Sequence, residues 1–198
     1  MQADILWKLK SSAESCCMCP LAETRKNAVF GEGPADAPAM LIGEAPGADE
    51  DEFGRPFIGR SGRLLSSLME EAGLPRNKIF ITNMVKCRPP ENRLPAKNEL
   101  EACRPYLQAQ IAAIRPLLVL AVGNVPSRVF LDTREGITSL RGKFYPAELE
   151  DFPFMVRPVF HPSYLLRNRS VDEGKPISLT LSDLQEARKF LEKAIPGF

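Results

Sequence analysis

The chain lacks several features that would assign it to a class at once. It has no run of about 18 apolar residues, and residues 1–10 lack the basic start and apolar stretch of a secretory signal. Its 26 Lys and Arg residues are balanced by 25 Asp and Glu residues, which leaves a net charge of only +1. We therefore expect a soluble cytoplasmic protein without a membrane partner, in which any contact with an anionic polymer depends on a local cluster of charges.

The composition is that of an ordinary globular domain. Of the 198 residues, 44% are hydrophobic and 26% are charged, values that argue against disorder and against a coiled coil. The length suits one α/β domain better than two small ones, so we predict a single domain over residues 1–198. The 18 prolines occur in short segments such as Cys87-Arg88-Pro89-Pro90, which predicts rigid loops.

Hydrophobic patterning predicts a parallel sheet covered by helices. Four apolar runs between turn residues are predicted as strands buried on both faces, over 39–43, 79–82, 117–122 and 155–160. Apolar side chains at helical spacing occur between and after them, over 62–72, 98–114, 125–131 and 179–194. Strands that alternate with helices predict a doubly wound α/β fold with helices on both faces of the sheet.

Three polar residues follow or end predicted strands, at the edge where open sheets of this kind bind ligands. Glu44 follows the first strand, Asn83 follows the second and His161 follows the last. The Asn83 amide has the planar donors and acceptor that read the edge of a base, or it ties down the following loop. His161 is the only histidine. A lone histidine can be structural, but this position also suits catalysis.

The adjoining loops supply candidate groups of other kinds. Glu50 belongs to the acidic stretch 49–52, which could bind metal, activate water or simply be solvated. Phe57 lies in a polar, glycine-containing loop and suits stacking on a planar ligand. The basic segment 59–63 leads into a helix, where backbone N–H groups could bind a phosphate, or it is a flexible helix start.

A second basic cluster surrounds His161. It consists of Arg157, Arg167 and Arg169, with apolar residues at 164–166. Apolar side chains beside arginines are typical of a loop that inserts into a nucleic-acid stack. Near the C-terminus, Asp183 is expected to cap the last helix or to lie in its first turn.

Five cysteines occur in a chain whose thiols we expect to stay reduced. Cys16 and Cys19 form a CxxC pair, and Cys87 and Cys103 could complete a site of four thiolates. Such a soft ligand set suits zinc or an iron–sulfur cluster. The alternative is that these are small buried hydrophobic side chains. Cys17 is left over, because its spacing from Cys19 makes the poorer chelate.

Four motifs taken together resemble one family. They are Gly43-Glu44-Ala45-Pro46-Gly47, Gly54-Arg55-Pro56-Phe57-Ile58-Gly59, Ile81-Thr82-Asn83-Met84-Val85-Lys86-Cys87-Arg88-Pro89-Pro90 and His161-Pro162-Ser163-Tyr164-Leu165-Leu166-Arg167. In this order, and with the four cysteines, the chain from Cys16 to the C-terminal helix is similar to the family-4 uracil-DNA glycosylases. The resemblance implies a three-layer α/β/α fold with a four-stranded parallel sheet. It also implies the removal of uracil from DNA by cleavage of the N-glycosidic bond.

The resemblance further implies a cofactor and roles for particular residues. A four-iron four-sulfur (4Fe–4S) cluster would tie down the N-terminal segment, with Cys16, Cys19, Cys87 and Cys103 as its ligands; zinc is the alternative. Uracil would stack on Phe57, Asn83 would read its edge, and His161 would hydrogen-bond its O2 atom. Glu50 matches the acidic residue that orients or activates water.

Other residues are expected to line the uracil pocket or to contact DNA. Backbone groups of Glu44 and Ala45 are predicted beside uracil. Family-1 relatives have an aspartate at the place of Ala45 and a thymine-excluding tyrosine at the place of Gly47, so Glu44 is the candidate for that exclusion here. The predicted DNA contacts, in which the last three residues form a wedge, are Arg60, Ser61, Gly62, Ser163, Leu165, Leu166 and Arg167.

The predicted function is therefore that of a monofunctional DNA glycosylase. It would flip uracil out of single- or double-stranded DNA, hydrolyse its glycosidic bond and leave an abasic site for base excision repair. We expect it to act as a monomer. The alternative is a DNA-binding or electron-carrying iron–sulfur protein without the chemistry, against which Asn83, His161 and Glu50 argue.

Overall fold

The computed structural model describes residues 1–149 and 151–198. Its helices are α1 (Gln2–Glu14), α2 (Leu21–Thr24), α3 (Ala48–Phe53), α4 (Arg60–Glu71), α5 (Lys97–Ile114), α6 (Asn124–Leu131), α7 (Ile137–Leu140), α8 (Pro162–Arg167) and α9 (Pro176–Ala194). Its strands are β1 (Ala39–Gly43), β2 (Phe80–Asn83), β3 (Leu118–Val122), β4 (Tyr145–Leu149) and β5 (Phe152–Val159). Across this described part of the chain, no helix combines the length and apolar character needed to cross a membrane.

The strands form one sheet in the order β2-β1-β3-β5-β4. The first four are mutually parallel, and β4 pairs antiparallel with β5 at the edge. The predicted parallel sheet of four strands is confirmed, and β4 extends it. The sequence did not indicate β4 because its residues alternate between half-buried and exposed and include Pro146 and Glu148, as is usual for an edge strand.

Successive strand residues point to opposite faces of the sheet and build two cores. On one face, Leu41 belongs to a cluster of apolar side chains from α4, α8 and α9. On the other face, Ile42 packs in a cluster with apolar side chains of α1 and α5. The architecture is therefore the predicted three-layer α/β/α arrangement.

The last helix corrects two sequence-based interpretations. It begins at Pro176, a residue suited to the first turn, so Asp183 lies inside α9 and is fully buried. The Asp183 carboxylate pairs with Arg141 at 2.7 Å and with Arg157 at 2.8 Å. The prediction of Asp183 as a cap or first-turn residue is wrong. Arg157, which is 3% exposed, does not belong to a basic surface around His161.

Candidate active site

A cavity of about 660 Å³ lies at the carboxyl ends of the parallel strands. Its wall contains Glu44 after β1, Asn83 at the end of β2, Gly123 after β3 and His161 after β5. This volume is within the usual range for sites that bind small molecules. The structure thus brings together the three polar residues that the strand order placed at this edge. The other sequence-predicted site residues in the wall are Ala45, Glu50, Phe57, Ser61, Ser163 and Arg167.

Asn83 has a buried side-chain acceptor in this wall. The residue is 2% exposed, and its Oδ1 atom has no hydrogen-bond partner within the described chain. An unpaired buried acceptor costs about 1–3 kcal/mol, so a ligand that donates to Oδ1 recovers that energy. A Cβ atom at Gly43 would lie 2.4 Å from both Asn83 Oδ1 and Phe57 Cζ. Glycine at this position therefore allows the amide and the ring to approach each other.

Phe57 is held in a strained backbone conformation. Its φ of 53° lies in the left-handed region, which is uncommon for a bulky residue. Arg76 stabilises it by donating to the carbonyl oxygens of Phe57 at 3.1 Å and Pro56 at 2.7 Å, and Arg76 itself pairs with Glu32 at 2.7 Å. These contacts fix the backbone of Phe57, whose side chain lines the cavity.

Gly62, a predicted DNA contact, packs directly against Phe57. A Cβ atom there would lie 2.2 Å from both the carbonyl carbon and the oxygen of Phe57. Gly62 is buried in the first turns of α4. The close approach explains why this position is glycine, and the contact of Gly62 with DNA stays a prediction.

Glu50 joins the two loops that flank the cavity. Its Oε2 atom accepts from the N–H of Gly47 at 3.1 Å, and Oε1 accepts from those of Ile58 at 3.0 Å and Gly59 at 2.7 Å. A Cβ atom at Gly47 would lie 2.7 Å from Glu50 Oε2, so a side chain there would displace the carboxylate. Glu50 therefore positions the loops in this structure, and its role in activating water stays a prediction.

The contacts of His161 define its tautomer. The backbone N–H of Ser163 donates to Nδ1 at 3.3 Å, and Ser163 Oγ lies 2.7 Å from the same atom. Because an N–H group can only donate, Nδ1 is the acceptor and the neutral ring carries its proton on Nε2. Burial, and secondarily the charge of Arg167, lowers the pKa of His161 to about 4. At neutral pH the ring is therefore a neutral Nε2–H donor in the cavity wall.

Glu44 is an acidic wall residue whose pKa is shifted. Its side chain is half-buried after β1, and burial raises the pKa of its carboxyl group. Glu44 lines the cavity, as predicted from its place after the strand. Its role in excluding the methyl group of thymine stays a prediction.

The titration of His161 tests this description of the site. A pH series of NMR spectra follows one imidazole, because the chain has a single histidine. We expect a pKa of about 4 in the folded protein and the ordinary value of about 6.5 after denaturation. Between these values only the unfolded chain binds the proton, so the free energy of unfolding should decrease as the pH falls from 6.5 to 4. A folded-state pKa near 6.5 would contradict the buried, neutral ring.

The rim of the cavity corrects the predicted DNA wedge. Leu165 is completely buried in the core beside α4, so the prediction that it inserts into DNA is wrong. Leu166 is half-buried and Arg167 is exposed, which leaves both available to DNA. Leu94, which the sequence reasoning missed, is 66% exposed and lines the cavity. The signal for it in the sequence was a leucine within the proline-rich segment between β2 and α5.

The segment that carries Leu94 is fixed by ionic contacts. Arg93 donates to both carboxylate oxygens of Glu99 at 2.8 and 2.7 Å, and Glu99 also accepts from the N–H of Ala96 at 2.7 Å. Glu99 is buried in the first turn of α5. Leu94 is therefore presented by a rigid loop.

Four of the five cysteines converge away from the large cavity. Cys16, Cys19, Cys87 and Cys103 line one small pocket, and Cys17 is exposed. Burial raises the pKa of the Cys87 thiol, and the cation Arg25 partly offsets that increase. Burial also raises the pKa of the Cys103 thiol, and Lys86 partly offsets it. The predicted set of four sulfur ligands is thus brought together by the fold, with the leftover cysteine outside it.

The chemistry of these thiols is that of a soft metal site. Within residues 1–149 and 151–198, no three His, Cys, Asp or Glu side chains are grouped closely enough to hold one metal ion. Four cysteine thiols that line one pocket are a donor set that suits an iron–sulfur cluster or a zinc ion.

Comparison with known proteins agrees with this fold. The family model described as the Uracil DNA glycosylase superfamily matches residues 30–185. The chain is 42% identical over 181 residues to the type-4 uracil-DNA glycosylase of Thermotoga maritima, a match that covers 91% of each chain. It is 44% identical over 170 residues to that of Saccharolobus solfataricus, covering 83% of this chain and 79% of the relative. A type-5 uracil-DNA glycosylase of Pyrobaculum aerophilum is 32% identical over only half of each chain.

These matches cover the sheet, the cavity and most of the helices. The chain belongs to the uracil-DNA glycosylase superfamily and, within it, to the type-4 uracil-DNA glycosylases. The predicted family, the fold class and the enzyme class, hydrolases of N-glycosyl bonds, are confirmed.

Proposed function

We propose that the cavity binds a uracil flipped out of DNA and that the protein hydrolyses its N-glycosidic bond to leave an abasic site. The observation that carries the proposal is the unpartnered Oδ1 of Asn83, buried in the wall beside Phe57. A base inside a duplex is out of reach of such a cavity, so the nucleotide must leave the stack first. The names of the type-4 relatives support the choice of uracil.

The amide of Asn83 suits the edge of uracil. Its Oδ1 would accept from the N3–H group of uracil, and its amide nitrogen would donate to O4. Cytosine presents the opposite pattern, an acceptor at N3 and a donor at the exocyclic nitrogen. Binding cytosine would leave buried polar groups unpaired, and a site of this kind discriminates strongly for that reason.

His161 suits the stabilisation of the departing base. As the bond to C1′ breaks, negative charge develops on the uracil ring and positive charge on the sugar. The Nε2–H of neutral His161 would donate to O2 of uracil, where it favours the charged leaving group. A fixed neutral donor does this without prior protonation, which agrees with the low pKa of the ring.

Glu50 would act on the sugar side of the reaction. Its carboxylate accepts three backbone N–H groups and still belongs to the cavity wall. We assign it the orientation of the attacking water and the stabilisation of positive charge at C1′. Backbone groups of Glu44 and Ala45, which line the same wall, would complete the contacts with the base.

Residues at the rim of the cavity would bind the DNA strand. Arg60 and Ser61 begin the 12-residue helix α4, whose N-terminus favours a phosphate, and Ser163 and Arg167 belong to α8. Leu166 and Leu94 would fill the space that the flipped base vacates. We propose that the whole chain works as one domain and as a monomer on single- or double-stranded DNA.

Leu94→Ala tests the rim directly. We expect kcat/KM on duplex DNA with one uracil to fall about tenfold, because the stack is no longer wedged open, while activity on single strands is retained. The ratio of duplex to single-strand activity is the measurement. Leu117→Ala is the matched control, because Leu117 is an exposed leucine just before the amino end of β3 and outside the cavity wall, and it should leave this ratio unchanged. A wild-type ratio for Leu94→Ala would remove Leu94 from the wedge.

The four convergent cysteines would hold a 4Fe–4S cluster. Cys16 and Cys19 come from the N-terminal segment, Cys87 follows β2, and Cys103 lies in α5. Bound there, the cluster would supply a cross-link between these segments. Hydrolysis of a glycosidic bond transfers no electron, so we assign the cluster a structural role.

Strand cleavage tests the proposed function. One labelled oligonucleotide carries a single uracil, and matched strands carry thymine or cytosine at that position, without added metal. We expect breakage of the uracil strand only, and only after alkali, because a monofunctional glycosylase leaves an intact backbone with an abasic site. No cleavage by folded, iron-containing protein would favour the DNA-binding alternative.

A further inference from the structure

Lys86 is a fully buried lysine that lies between the two sites. It is 1% exposed, and its Nζ donates to Thr82 Oγ1, Asn83 O and Gln110 Oε1, each at 2.7 Å. Its backbone N–H donates to Cys103 Sγ at 3.3 Å, and the residue lines the pocket that the four cysteines share. Lys86 therefore touches both the backbone of Asn83 and the predicted cluster site.

The hydrogen bonds of Lys86 require it to be charged. Thr82 Oγ1 gives its single proton to the carbonyl oxygen of Phe30 at 2.7 Å, so it can only accept from Lys86. Gln110 directs its amide N–H to the same carbonyl at 2.8 Å, which leaves its oxygen facing Lys86. The carbonyl of Asn83 is also an acceptor. Three acceptors need three N–H donors, and only the ammonium form of lysine has three.

A buried ammonium ion needs a negative charge nearby, because burying an unpaired charge is costly. All three atoms that bind Nζ are formally neutral. Thiolates that ligate metal in the adjoining pocket would supply the missing negative charge. In return, the ammonium would stabilise those thiolates.

We propose that Lys86 is a positioning residue: it is the counter-ion of the four-cysteine site, and through the Asn83 carbonyl it fixes the side chain that reads uracil. This inference rests on the proposed function of Asn83. If Lys86 has this role, the recognition of uracil by Asn83 depends on whether the four-cysteine site holds its metal, although that site does not contact the base. Lys86 itself would contact neither the base nor the sugar.

Two neutral substitutions in the same network separate positioning from general stability. Lys86→Met removes the charge and the bond to Asn83. Gln110→Met removes one acceptor of Lys86 and one donor to the Phe30 carbonyl, but it leaves the lysine side chain and its contact with Asn83 in place. We expect Lys86→Met to weaken the binding of free uracil by about tenfold or more and to speed the loss of visible absorbance under a chelator by a similar factor. Gln110→Met should stay within about threefold of wild type in uracil affinity and in the rate of absorbance loss. Its melting temperature should be similar to that of Lys86→Met.

A charge-retaining variant completes the test. Lys86→Arg should lose iron more slowly than Lys86→Met, because it keeps a cation beside the thiolates. If Lys86→Met does not fold, Lys86→Gln, which is polar but neutral, replaces it in the same comparison. Equal uracil affinity and equal iron loss in the neutral Lys86 variant and Gln110→Met would overturn the inference.

The wild-type protein separates this inference from the proposed function. If iron-containing wild type neither binds uracil nor cleaves the uracil strand, the proposed function is wrong. The rates of iron loss in the Lys86 and Gln110 variants would still decide whether Lys86 is the counter-ion. If wild type is active and the variants do not differ, only the Lys86 inference fails.

Discussion

Asn83→Asp should lower kcat/KM for uracil by about 100-fold and reduce the preference for uracil over cytosine. Aspartate has nearly the shape of asparagine, but as a carboxylate it loses the donor for O4 of uracil. When protonated, it offers the donor and acceptor pattern that cytosine requires. The measurement is kcat/KM on two strands that differ only in uracil or cytosine at one position.

Asn77→Asp is the matched control for this substitution. Asn77 is exposed near the start of β2, at the edge of the sheet opposite the cavity, and the substitution makes the same change of charge. It should leave both rates unchanged. Wild-type rates for Asn83→Asp on both strands would remove Asn83 from the reading of the base.

Cys103→Ala should abolish the visible absorbance of an iron–sulfur cluster and lower the melting temperature strongly. One ligand is lost from a site that links the N-terminal segment, the loop after β2 and α5, so the free energy of metal binding no longer stabilises the fold. Cys17→Ala is the matched control, because Cys17 is exposed and lies outside the pocket of the other four. It should keep both properties at wild-type values. Iron content, absorbance and thermal unfolding are measured on anaerobic protein.

Two outcomes would contradict the proposed iron–sulfur cluster or its structural role. A colourless wild-type protein that contains zinc would show that the predicted cluster is wrong. If Cys103→Ala lost activity with an intact fold and intact DNA binding, the purely structural role would be wrong. In that case the cluster would contribute to the reaction itself.

The sequence predicted the parallel strands well because β1, β2, β3 and the second half of β5 are buried on both faces. Residues 39–43 are a continuous apolar run, and the structure places β1 at the same bounds. The edge strand β4 was missed because its exposed side chains break that signal. The helix α3 was missed because its sequence, ADEDEF, has acidic residues in place of an apolar face.

The site was predictable only as far as the strand order determines it. Asn83 and His161 follow from their places at strand ends, because parallel strands present these ends at one edge of the sheet. The burial of Leu165 and the three N–H groups on Glu50 depend on how distant segments pack. The tautomer of His161 depends on the turn that leads into α8. No local pattern in the sequence carries this information.

Identifying the base that the wild-type protein releases tests the proposed hydrolysis of uracil directly. A duplex with one uracil among thymines and cytosines is incubated with iron-containing protein, and the free bases are quantified by mass spectrometry. We expect uracil in an amount equal to the substrate, with thymine and cytosine retained in an unbroken strand. Release of no base, or release of the three pyrimidines alike, would contradict it.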